Sequence, residues 1–125
     1  MLRTITIGRT DAAPIAAREA LRDVPGQFRR DDADLLVTEL VTNAVRHGEG
    51  ERLRLLLETS PDGGLYCEVV DDGHGFAPQS RAPERRPESG GWGLFLVDSL
   101  SRAWGVHEGS THVWFEMSPD APGPA

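Results

Sequence analysis

The chain contains no lysine; all thirteen of its cationic side chains are arginine. That absence excludes a P-loop, in which a lysine follows the glycines and reaches the phosphates. Cysteine is nearly absent as well. The lone Cys67 can form neither an internal disulfide nor a cysteine-clustered zinc site. It lies in a strand-like run, where it reads as a small buried hydrophobe. No apolar run approaches the ~20 residues of a membrane span. The opening MLRTITIGRT lacks the apolar stretch of a secretory signal, so the cytoplasm is the expected compartment. Positive charge is also in deficit: the net charge of -7 argues against a nucleic-acid surface.

What is present suits one soluble domain with one core in 125 residues. TITI (Thr4 to Ile7) alternates as a short strand. PIAAREALRDV has helical spacing, with Asp11 as its cap, Pro14 in its first turn and Pro25-Gly26 beyond its end. A second helix is expected from Asp31 to Val45, capped by Asp31 or Asp32 and stopped by Gly48. RLRLLLE and LYCEVVDD flank SPDGG as a hairpin. Ala77 to Gly91 holds three prolines and three arginines and has no apolar period. A structureless loop of that length in a small domain is functional or disordered. GLFLVDSLSRAW resumes as a helix, and WGVHEG with THVWFEM forms a last hairpin. The order β-α-α-β-β-loop-α-β-β predicts an α+β fold, a two-layer sandwich with helices on one face of a mixed, mostly antiparallel sheet. The domain is expected over 1–118, with 119–125 a disordered tail by composition.

Three polar clusters stand out against this frame. LLVTELVTNAVRHGEG is an apolar helix, yet Glu39 and Asn43 sit one turn apart at its margin and project to the same place. DDGHGF follows a buried strand. Asp71 is in register with Leu65, Cys67 and Val69, so it points inward at the end of the sheet, where a carboxylate needs a donor. Gly73 and Gly75 let the backbone turn closely there. GGWGLFLV places three glycines before a helix, where free N–H groups favour an anion. The G-x-G-x-x-P run after Asp72 is not a dinucleotide fingerprint, because the third glycine and the following helix are missing.

Taken in order, these clusters resemble the GHKL ATP-binding superfamily, which shares the Bergerat-type α/β sandwich. ELVTNAVRHG, VVDDGHGF, GGWGLFLV and AWGV…VWFE look most like bacterial anti-sigma-factor serine/threonine kinases, across about Asp11 to Met117. The resemblance implies that Glu39 orients or deprotonates an attacking hydroxyl. It implies Asn43 as a ligand of Mg²⁺ bridging ATP phosphates, with His47 beside it. Asp71 would accept the adenine amino group, with Gly73 and Gly75 giving the base room. Gly91, Gly93 and the N–H of Leu94 would line the phosphates. Ala77 to Gly90 would be an ATP lid, with Arg81, Arg85 or Arg86 near phosphate. Arg18 is assigned to a partner surface.

One stretch departs from the family pattern. Relatives often end in a G-K-T-V-W-F-like strand, whereas Thr111 and His112 here replace the lysine and threonine. A nucleotide contact from that strand is therefore not expected to be kept. Three functions follow from the resemblance. The first is a kinase that phosphorylates a small anti-sigma antagonist in a partner-switching system of transcription regulation and holds a sigma factor, as a homodimer. The second is an ATP- or ADP-sensing module that sequesters a partner without phosphorylating it. The third, a catalytic domain acting on histidine, is disfavoured because no helical hairpin carrying a substrate histidine is present.

Overall fold

The computed structural model describes residues 2–48, 50–71, 99–106 and 113–120. Its elements run β1 (Leu2–Gly8), α1 (Ala13–Arg22), α2 (Arg30–His47), β2 (Arg52–Thr59), β3 (Leu65–Asp71), β4 (Ala103–Val106) and β5 (Val113–Met117). The five strands form one sheet in the order β1-β2-β3-β5-β4. All the pairings are antiparallel, so among the described residues the sheet is not mixed.

Alternation decides which face is covered. Leu53, Leu55, Leu57, Leu65, Cys67, Val69, Phe115 and Met117 are buried beneath the helices. Their neighbours Arg54 and Glu58 stay exposed, and Tyr66 stacks on Trp114 with centroids 6.1 Å apart. On α2 the buried set is Ala33, Leu36, Val37, Leu40 and Val41. Spacings of three and four residues make one stripe. On α1 the buried set is Ala13, Ala17, Ala20 and Leu21, and the alanines let this helix sit close to α2. Each fully buried leucine contributes roughly 1.5–3 kcal/mol relative to exposure. Among the described residues no helix is long and apolar enough to cross a membrane.

The helix ends differ from the sequence expectation. Asp11 does not cap α1. The cap residue is Ala12, and it is Thr10 that accepts, from Ala13 N–H at its carbonyl (2.9 Å) and from Ala12 N–H at its hydroxyl (3.2 Å). Neither Asp31 nor Asp32 caps α2. The helix starts at Arg30 with Arg29 as cap residue, so both carboxylates fall inside the first turn, where they favour the helix dipole instead. The Arg30 guanidinium donates to the carbonyls of Leu21 (3.1 Å) and Val24 (2.7 Å) and lies over the Phe28 ring. It thereby serves the carbonyl end of α1 from the start of α2. Gly48 does stop α2, its N–H donating to the Ala44 carbonyl. The helix expected to run on to Trp104 gives way earlier. Ser99 and Leu100 are helical, and Ala103 and Trp104 already belong to β4. Strand pairing wins because Arg102 N–H donates to the Glu116 carbonyl and its guanidinium bridges Asp62 (2.7 Å) and Glu116 (3.3 Å).

Burial also fixes the chemistry of Cys67. It is fully enclosed, and desolvation, with the nearby Glu68 charge, pushes its thiol far above the usual range. A thiol-reactive chromophore should leave Cys67 unmodified in the native protein and react on unfolding. Rapid labelling of the folded chain would contradict this packing.

Candidate functional site

The site is organised by α2. Its apolar stripe faces the sheet, which leaves Glu39 and Asn43 half-buried on the flank and His47 exposed in the last turn. Glu39 and Asn43 lie one helical turn apart. No hydrogen bond or ion pair ties either to another described residue.

Asp71 ends β3, paired with Leu53. It is 5% exposed, and among the described residues it is the one buried side chain of the charged type. The strand register required this, since Leu65, Cys67, Val69 and Asp71 share the covered face. Its neighbour is the glycine that closes α2. A methyl group built on Gly48 would stand 2.9 Å from Asp71 Cγ, and it would collide with Asp71 Oδ2 and the Ala44 carbonyl oxygen. Gly48 has φ -80 and ψ -178, a backbone open to any residue. Space, not conformation, requires glycine here. The carboxylate at the end of the sheet thus lies flush against the last turn of α2, the turn that follows Asn43.

Other residues singled out in the sequence fall elsewhere. Arg18 is half-buried on α1, and its guanidinium donates to the Thr38 hydroxyl at 2.8 Å. It joins α1 to α2 on the surface those helices share. Gly73, Gly75, Gly91, Gly93, Leu94, the segment Ala77 to Gly90 with its arginines, and Thr111-His112 lie outside the described residues. Sequence reasoning missed Arg9. It follows β1 directly and donates through Nη1 to the Val45 carbonyl (2.8 Å) and through Nε to the Gly50 carbonyl. The signal was an arginine at a strand end; nothing local shows that this end faces the carbonyl end of α2.

The donor set suits a nucleotide with a hard cation. Among the described residues no cluster of histidine, cysteine, aspartate and glutamate could hold a metal alone. Magnesium uses few protein oxygens and takes the rest from phosphate and water, so a single amide oxygen at Asn43 fits that habit. A buried acceptor at Asp71 fits the exocyclic amine of a base.

Gly48→Ala should cost about 1–3 kcal/mol, the usual penalty for overpacking, and weaken any ligand held at Asp71. Denaturant unfolding with the same m-value and a lower midpoint is the expected result. An unchanged midpoint would contradict the close apposition of Gly48 and Asp71.

Comparison with known proteins gives the family of the chain. The family model described as histidine kinase-like ATPase domain matches residues 9–117. The chain is also 33% identical over 84 residues to the methanol utilization control sensor protein MoxY of Paracoccus denitrificans. That stretch is 66% of this chain and 18% of the sensor, so the chain spans less than a fifth of its relative. By this match the chain belongs to the histidine kinase-like ATPase domain family, which implies an ATP-binding domain.

Proposed function

We propose that the chain is a serine/threonine protein kinase of the anti-sigma type, which uses ATP and Mg²⁺ to phosphorylate a small antagonist protein. The carrying observation is that Glu39 and Asn43 are half-buried, one turn apart and without described partners, on the helix whose end abuts Asp71. The likeness to part of a control sensor agrees with a regulatory role.

Each residue then has a defined task. Asp71 accepts the adenine amino group and fixes the base at the end of the sheet. Asn43 would hold Mg²⁺ through its amide oxygen, and the ion would supply charge neutralisation at the phosphates. Glu39, one turn earlier, accepts a hydrogen bond from the attacking hydroxyl, orients it and takes its proton as the hydroxyl oxygen bonds the γ-phosphorus and the bond to the bridging oxygen breaks to release ADP. Phosphoryl transfer depends mainly on such positioning and charge neutralisation. The glycines at 73, 75, 91 and 93 and Leu94 N–H are assigned to the base and the phosphates. On α1, Arg18 is assigned to the partner surface. Thr38 holds one of its nitrogens, and the rest of the planar fork is left to meet an antagonist or a sigma factor.

The two α2 residues should fail differently when changed. Glu39→Gln removes a charge that repels bound phosphate, so ATP affinity should hold or tighten. Phosphotransfer should fall by roughly 10²-fold or more, the scale of a positioned acid–base group. Asn43→Ala should weaken ATP with Mg²⁺ more than ATP alone. In the same assays Arg18→Ala should reduce antagonist capture and leave ATP affinity unchanged. The measurements are radiolabel transfer to a co-purifying antagonist identified by mass spectrometry, and calorimetric ATP affinity. A Glu39→Gln variant that transfers phosphate at the wild-type rate would sink the mechanism. A wild type that binds ATP and its partner but transfers nothing would establish the sequestering module instead.

A further inference from the structure

We infer that Arg9, on no element of the nucleotide site, is a positioning residue that holds the last turn of α2, just beyond the metal ligand Asn43, in register with Asp71. The inference rests on the nucleotide reading of Asn43 and Asp71. An α-helix leaves its last four carbonyls without intrahelical donors. In α2 the Ala44 carbonyl is met by Gly48 N–H at 2.9 Å. The Val45 carbonyl is met by Arg9 Nη1 at 2.8 Å. The same guanidinium donates through Nε to the Gly50 carbonyl, and Arg9 N–H donates to the Glu51 carbonyl at 2.9 Å. Three successive donors of one residue therefore fasten both the helix end and the connection that leads into β2.

The geometry of that connection makes the clasp consequential. Gly50 has φ +86, a conformation that side chains disfavour. Gly48 has no room for a side chain because Asp71 occupies it. The turn is thus held by Arg9 on one side and faces the Asp71 carboxylate on the other. Asp71 itself is set by β3, through its pairing with Leu53. Asn43 and His47 are set by the helix. Arg9 extends from β1, which pairs with β2 through Gly8 and Arg52, so it ties the helix end to the sheet that carries Asp71. A planar fork reaches two carbonyls of different segments at fixed spacing, and a single ammonium cannot reproduce that. Without the clasp the last turn of α2 can slide or fray while β3 stays in place. Adenine recognition then survives, and the metal-dependent part of binding is lost.

The test is calorimetric ATP affinity measured in excess EDTA and again in excess Mg²⁺, on wild type, Arg9→Ala and Arg9→Lys, with thermal unfolding alongside. In Arg9→Ala the affinity in EDTA should stay within about twofold of wild type, and the gain from Mg²⁺ should shrink by roughly tenfold, the scale seen when groups behind a metal ligand are removed. Arg9→Lys, which keeps the charge and part of the donor set, should restore some of that gain. If Arg9→Ala does not fold, Arg9→Lys carries the test, with a reduced gain from Mg²⁺ and an unchanged circular dichroism spectrum. Equal weakening in both media, or an undiminished gain from Mg²⁺, would reduce Arg9 to a general stabiliser and overturn the inference. A wild type that binds ATP in neither medium would remove the nucleotide reading and this one with it.

Discussion

A carboxylate pressed against the glycine that ends a helix sets the plan of this domain. Asp71 can lie there only if position 48 has no side chain, if β3 ends in register with β2, and if α2 stops where it does. Each condition depends on a different level of structure. The register comes from alternating burial, the stop from the missing Cβ, and the alignment of helix and strand from the core between them. Burying a carboxylate is costly unless groups around it donate to it. A fold that brings one to the end of its central strand gives up apolar packing there.

The helix α2 reconciles two demands on one sequence. Its stripe from Ala33 to Val41 supplies core, and its flank carries Glu39 and Asn43 to a place the core does not fill. A helix can do this because three- and four-residue spacings separate faces by about 100° per residue. Arginine completes the scaffold. Arg30 meets carbonyls at the end of α1 and Arg9 those at the end of α2. A guanidinium spans two acceptors at once, so a chain with no lysine is well provided for this task.

Much of this was legible in the sequence, and the reasons are physical. Strand alternation identified Leu53, Leu55 and Leu57 as one buried face and put Asp71 on it. Helical spacing located α2 and its two polar residues. Gly48 was readable as a stop, though not as the neighbour of Asp71, because that contact joins segments whose proximity only the folded sheet creates. The caps were misread as well. Asp11, Asp31 and Asp32 have cap chemistry, yet Thr10 accepts at the start of α1, and α2 begins at Arg30 with no side-chain cap, which leaves both aspartates inside its first turn. The start of β4 was hidden because Ser101 to Trp104 continues a helical period, and it is pairing with β5 that takes Ala103 and Trp104 into the sheet.

The central claim is that one adenine nucleotide binds where the end of β3 meets the last turn of α2, and that Asp71 recognises its base. The most direct measurement is calorimetric titration of ATP with Mg²⁺ into wild type and Asp71→Asn. Wild type should bind one nucleotide per chain. In the variant a weaker acceptor replaces the carboxylate and an amide donor can face the adenine amine, so affinity should drop by about tenfold or more, corresponding to ~1.4 kcal/mol. An Asp71→Asn protein that is folded and binds ATP as tightly as wild type would contradict the account.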